Sequence, residues 1–130
     1  MTAKILTVAL VAFLAGQTSF AADGEATGLF STFRRSGKSG DISGAEIHVV
    51  PNPKGYSAIV QASEGAPGFP EVVDVVVKGT TLTFTIPESS ASGFSPGTYN
   101  GTATKEGLRL RGPGGLYENY FLPRKGSFWQ

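Results

Sequence analysis

"EVVDVVVKGTTLTFTI", residues 71–86, decides how the rest of the chain is read. In its second half, Leu82, Phe84 and Ile86 fall on one side, and Thr81, Thr83 and Thr85 on the other. Period-two alternation of this kind buries one face of an antiparallel sheet and leaves the other wet. Between Glu71 and Lys78 the first half is apolar on both faces apart from Asp74, so Val72 and Val76 are expected beneath another element. Only Gly79 and Thr80 separate the two halves, which suits a tight reversal between paired strands.

The same pattern extends outward in both directions. Strand signals recur at 28–34, 45–50, 56–62, 71–78, 81–86, 98–104, 108–111 and 116–122, punctuated by 18 glycines and eight prolines. No stretch between them sustains a helical period. Tyr99, Gly101 and Ala103 oppose Thr98, Asn100, Thr102 and Thr104; Leu108 and Leu110 oppose Arg109 and Arg111. Short strands at this spacing indicate an all-β sandwich or barrel. The intervening segments of 10, 5, 8, 2, 11, 3 and 4 residues alternate long and short. In an up-and-down meander, 35–44, 63–70, 87–97 and 112–115 then share one end. The turns share the other, among them Asn52-Pro53-Lys54-Gly55, which suits a type I turn.

Strand edges need protection, and closure into a barrel removes them. The expected fold is a single small antiparallel up-and-down β-barrel of about eight strands, with a flattened β-sandwich as the alternative. Its interior would be lined by Ala58, Val60, Val75, Leu82, Phe84, Tyr99 and Leu108. Gly28-Leu29-Phe30 enters the first strand and Arg124 follows the last. In these residues the chain resembles the lipocalin-like, or calycin, barrels, which carry Gly-x-Trp at the first position and a basic residue over that Trp at the second. Here Phe30 stands in place of the tryptophan, and the family's disulfides are missing because the chain has no cysteine. The resemblance implies a ligand-binding barrel.

Residues 1–21 form a separate segment. Lys4 precedes an apolar run from Ile5 to Ala15, and Ser19 and Ala21 are small residues at the −3 and −1 positions of a cleavage site. The apolar run is about half the ~20 residues that span a bilayer. A cleaved secretory signal is expected, of bacterial type and without a lipoprotein cysteine because Gln17 follows Leu14-Ala15-Gly16. That places a mature domain, residues 22–130, in the periplasm or outside the cell. Removal of Lys4 leaves ten basic against ten acidic residues, a balance that argues against a nucleic-acid partner. Without cysteine, packing and backbone pairing must hold the fold.

Candidate chemistry is sparse. "SGKSG" (36–40) ends like a phosphate-binding loop, but Thr32 occupies the position of its first glycine. His48, the single histidine, shares a polar strand face with Glu46 and lacks further ligands at metal-binding spacing. Glu64 and Glu88 lie in long loops at one end, where acids are ordinarily solvated. Asn100-Gly101-Thr102 is a glycosylation sequon that matters only in a eukaryotic source. No catalytic constellation, metal or cofactor is expected.

The loop aromatics Phe69 ("SEGAPGFP") and Phe94 ("ESSASGFSPG") have two readings. Each folds down to cap the core, or both form a hydrophobic anchor rimmed by Lys38, Glu64 and Glu88, with Phe84 and Tyr99 in the interior below. An apolar centre with a polar rim is what protein interfaces and ligand mouths require. The expected function is therefore binding without enzymatic activity, of a small apolar ligand or a protein partner. The alternative is an inhibitor or immunity-type protein directed at a secreted or periplasmic hydrolase. A small outer-membrane barrel ranks third: spanning strands need about 9–11 residues, and Arg109, Arg111 and the threonines would face lipid, so no stable membrane insertion is expected. In the tail "YFLPRKGSFWQ" (120–130), the last strand is expected to pair with the first until Pro123 stops it. Phe128 and Trp129 then cover a barrel end.

Overall fold

The computed structural model describes residues 25–113 and 119–129. The segment read as a secretory signal lies outside the described residues, as do the first residues of the strand expected at 116–122. Nine strands form one antiparallel sheet: β1 (Gly28–Ser31), β2 (Arg34–Arg35), β3 (Ile42–Asn52), β4 (Gly55–Gly65), β5 (Glu71–Lys78), β6 (Thr81–Ile86), β7 (Gly97–Ala103), β8 (Gly107–Arg111) and β9 (Tyr120–Pro123). From β3 onward each pairs with its chain neighbour, in the order β1-β3-β4-β5-β6-β7-β8-β9, and β1 and β2 both lie against β3. This is the up-and-down meander. The sheet curls until its ends meet at a bridge between Phe30 and Arg124, beside which the Lys125 N–H donates to the Leu29 carbonyl at 3.4 Å. The fold is a small, nearly closed all-β barrel, and no helix occurs among the described residues.

Alternation decides what lies inside. Leu82, Phe84 and Ile86 are buried while Thr81 and Thr85 are exposed, and all seven residues expected in the interior are buried. Phe84 and Tyr99, directly opposed across β6 and β7, stack with centroids 5.3 Å apart. Leu108 and Leu82 crowd Gly101 so closely that a Cβ there would meet their methyl carbons at 2.7 and 3.0 Å. An eight-stranded barrel is just wide enough for side chains to fill. Large residues fill this one, each contributing about 1.5–3 kcal/mol on burial.

Four expectations need correction. The strand expected at 28–34 breaks into β1 and β2, because the Thr32 hydroxyl takes over a ladder position: the Ala45 N–H donates to Thr32 Oγ1 at 2.9 Å. Opposite it, Gly44 adopts φ 115°, where a Cβ would collide with the Thr32 backbone. The next two strands each extend to 11 residues, and Asn52 secures their turn by accepting the Lys54 N–H at 2.8 Å. Val72 is 67 % exposed and Val76 is also exposed, so no element covers them. Finally, β9 pairs with β8 through Pro123, and its junction with β1 is the Phe30–Arg124 bridge beyond that proline.

Candidate functional site at the long-loop end

The register sends the segments 36–41, 66–70 and 87–96 to the same end of the barrel. Loops 66–70 and 87–96 are locked together and to β4. The Gly68 N–H donates to the Ala62 carbonyl (3.0 Å), the Phe69 N–H to Ala91 (2.8 Å), and the Ala62 N–H to Ser92 (2.7 Å). Gln61 Nε2 donates to the Gly68 carbonyl at 2.6 Å. A side chain on Gly68 would overlap the Ser92 backbone, so glycine is what lets the loops approach.

The two loop aromatics part company on this scaffold. Phe94 is 3 % exposed and meets Tyr99 edge-on at 5.5 Å, closing the core from above. Its N–H donates to the buried Ser92 hydroxyl at 3.4 Å. Ser90 bonds the same hydroxyl at 2.8 Å and donates to the Glu71 carboxylate. Phe69 is 76 % exposed. Of the two readings, capping describes Phe94 and exposure describes Phe69. Lys38, Glu64 and Glu88 are exposed at this end, but Glu64 belongs to β4, opposite Ser43, rather than to a loop. No hydrogen bond or ion pair joins these three among the described residues. Phe84 and Tyr99 sit in the packed interior. The Tyr99 hydroxyl donates to the Ser95 carbonyl at 2.9 Å, and burial raises its pKa above the ordinary value.

The C-terminal tail takes a different course from the one expected. Instead of covering a barrel end, it crosses the outer face of β3 and β4. Ser127 Oγ and the Phe128 N–H donate to the two carboxylate oxygens of Glu46, at 2.8 and 3.1 Å. Trp129 Nε1 donates to Gln61 Oε1 at 2.9 Å. Phe128 and Trp129 pack edge-on against Phe33 with centroids 5.8 and 6.1 Å away. Burying a charged carboxylate and an amide is costly unless they are bonded, and the tail supplies those bonds. Gln61 thus touches the tail with one end and the Phe69 loop with the other.

Beside the tail lies a hollow of about 270 Å³ lined by Leu29, Glu46, His48, Ile59, Gln61 and Trp129 among others. Ile59 opposes Val72 across β4 and β5, both outward and exposed. Together with Trp129 and Pro70 they extend an apolar surface from the hollow toward Phe69. Gln61 and Glu46 were not legible as site residues. The available signal was their direct opposition on the polar faces of neighbouring strands, which has meaning only once the tail is known to cover them. Among the described residues, no cluster of three or more His, Asp or Glu side chains could hold a metal ion.

At the closed end, the Arg124 guanidinium lies 4.7 Å from the centroid of the Phe30 ring. It donates to the carbonyls of Thr104 (3.0 Å), Thr27 (2.7 Å) and Glu25. One side chain therefore ties the start of the barrel to its last strand. Comparison with protein-family models, with curated proteins and with solved structures finds no match.

Proposed function

We propose that this chain is an exported, non-enzymatic binding protein that engages a protein partner through Phe69 and the apolar surface beside it. The observation that carries the reading is a largely exposed phenylalanine on a backbone bonded at Gly68 and Phe69 to two other segments. A large apolar ring held in one place loses little entropy on docking, which is the economy that makes interface anchors effective. Ile59, Val72 and Trp129 widen the contact, and the charges of Lys38, Glu64 and Glu88 are suited to its rim. A rigid aromatic at a loop tip suits insertion into a cleft, so a secreted or periplasmic hydrolase is the favoured partner class.

The filled interior argues against a small apolar ligand inside the barrel. Affiliation with the lipocalin-like barrels is part of the proposal, favoured by the meander and by the Arg124–Phe30 stack. Export rests on the signal-like residues 1–21. Outward Asp74, Lys78, Arg109 and Arg111 disfavour insertion in lipid. The test is paired capture from the exported protein fraction of the source organism, using the immobilised mature chain and its Phe69→Ser variant. The wild type should retain a partner that the variant loses at unchanged melting temperature. Equal retention by both would overturn the reading.

A further inference from the structure

Next around the barrel from that apolar surface, the outer face of β6, β7 and β8 forms a groove of about 580 Å³. Its shape follows from side-chain length. Thr81, Thr83, Asn100 and Thr102 are short and make the floor, while Arg109 and Arg111 stand up from β8 as a wall. The groove spans two interstrand spacings, roughly 10 Å, and continues into a second depression past Arg109 to Phe121 and Glu106.

The chemistry of this groove is one-sided. Two guanidiniums line its main part, where among the described residues no carboxylate does; Glu106 lies in the second depression, on the far side of Arg109. Arg109 is fixed twice, donating to Asn119 Oδ1 at 3.2 Å and lying 5.2 Å from the centroid of the Phe121 ring. Arg111 is exposed and makes no hydrogen bond or ion pair among the described residues. On the floor, Thr83 donates to Asn100 Oδ1 at 2.9 Å, which orients the amide and leaves its nitrogen as a donor. Hydroxyls that both donate and accept, an oriented amide and two bidentate cations match a ligand rich in hydroxyls that also carries carboxylates. A nucleic-acid backbone is disfavoured by the overall charge balance, and a protein core because the apolar side chains of the lining, Leu82 and Leu110, are buried and leave no large apolar group exposed in the groove.

We propose that this groove binds an acidic oligosaccharide, its uronate carboxylate seated on Arg111 and Arg109 and its hydroxyls on the threonine–asparagine floor. The site is separate from the Phe69 surface and stands or falls independently of it. The probes are an oligogalacturonate, its carboxyl-reduced neutral counterpart and inorganic phosphate, each titrated calorimetrically into the mature protein. The oligogalacturonate should bind, more weakly as salt is raised; its neutral counterpart should bind at least about tenfold more weakly, as expected when a charge-assisted pair is lost, and phosphate should also bind more weakly because it leaves the threonine–asparagine floor unused. Arg111→Gln should weaken oligogalacturonate binding by a similar factor at unchanged melting temperature, Arg111→Lys by less, and Thr83→Val by a few-fold. Phe69→Ser should leave it unchanged. The proposal is overturned by no binding of the oligogalacturonate, by equal binding of the neutral oligomer, by phosphate binding equally well, or by indifference to Arg111→Gln.

Discussion

Gly68-Phe69-Pro70 and Gly93-Phe94-Ser95-Pro96 are similar in composition and lie on loops that touch, yet their rings end in opposite environments. Gly93 adopts φ 91°, and a Cβ there would overlap the Ala62 carbonyl oxygen. The chain therefore drops against β4, and the next residue turns inward onto Tyr99. Gly68 has an ordinary backbone conformation. The residue after it is restrained by the following proline, which favours an extended geometry, and by its own N–H bond to Ala91. Phe94 closes the core and Phe69 stays outside. The difference lies in backbone path, since the two side chains are identical.

The sharpest way to break this comparison is to remove the buried ring. Phe94→Ala should cost about 3–5 kcal/mol, as for other buried phenylalanines, lowering the melting temperature by more than roughly 10 °C in a domain of this size. A melting curve within a few degrees of wild type would mean that Phe94 does not cap the core.

Deleting residues 128–130 is expected to cost somewhat less, about 2–4 kcal/mol, because Trp129 is half-exposed in the intact chain while the packing of Phe128 and its N–H bond to Glu46 are lost. Denaturant midpoints check the stability. Hydrogen exchange checks a subtler consequence: with Trp129 gone, Gln61 loses one of its two partners, so the amides of Gly68 and Phe69 should exchange faster. An unchanged midpoint would show the tail to be dispensable to the fold.

Tyr99 sharpens the view of the interior beneath Phe94. Tyr99→Phe removes the bond to Ser95 and should cost about 1 kcal/mol near neutral pH. Its pH dependence has a definite sign. The folded-state pKa is raised above the ordinary 10.0, so above pH 10 the unfolded chain releases this proton more readily than the folded one. Wild-type stability from this group is complete below about pH 10 and declines as pH rises through the raised value. Urea titrations between pH 8 and 11 should show less alkaline loss in Tyr99→Phe; identical slopes would contradict the burial. Smallest of all, Phe69→Ser should change stability by no more than about 0.5 kcal/mol, and a larger loss by thermal melting would assign the ring a packing role.

Strand positions, the meander and the buried face were legible because they rest on period-two alternation, a local property. Leu82, Phe84 and Ile86 carry that signal in six residues. The break at Thr32 was not legible, since it depends on a hydroxyl meeting Ala45 across the sheet. Val72 and Val76 misled for the complementary reason: their apolar character called for a cover, and exposed valines on a strand are tolerated without one. The tail's route depends on Glu46 and Gln61, roughly 80 and 70 residues earlier in the chain, and no local pattern encodes such a contact. Of the candidate site, its end of the barrel could be read from loop lengths. Which aromatic would face outward could not, because that follows from the conformation at Gly93.

The most direct test measures the accessibility of the two rings without removing either. Placing 4-fluorophenylalanine singly at positions 69 and 94 and titrating a soluble gadolinium chelate reports each ring's exposure by fluorine NMR. The signal from position 69 should broaden strongly at chelate concentrations that leave position 94 nearly untouched. Equal broadening, or protection at 69 with broadening at 94, would contradict the division of labour between the two loops.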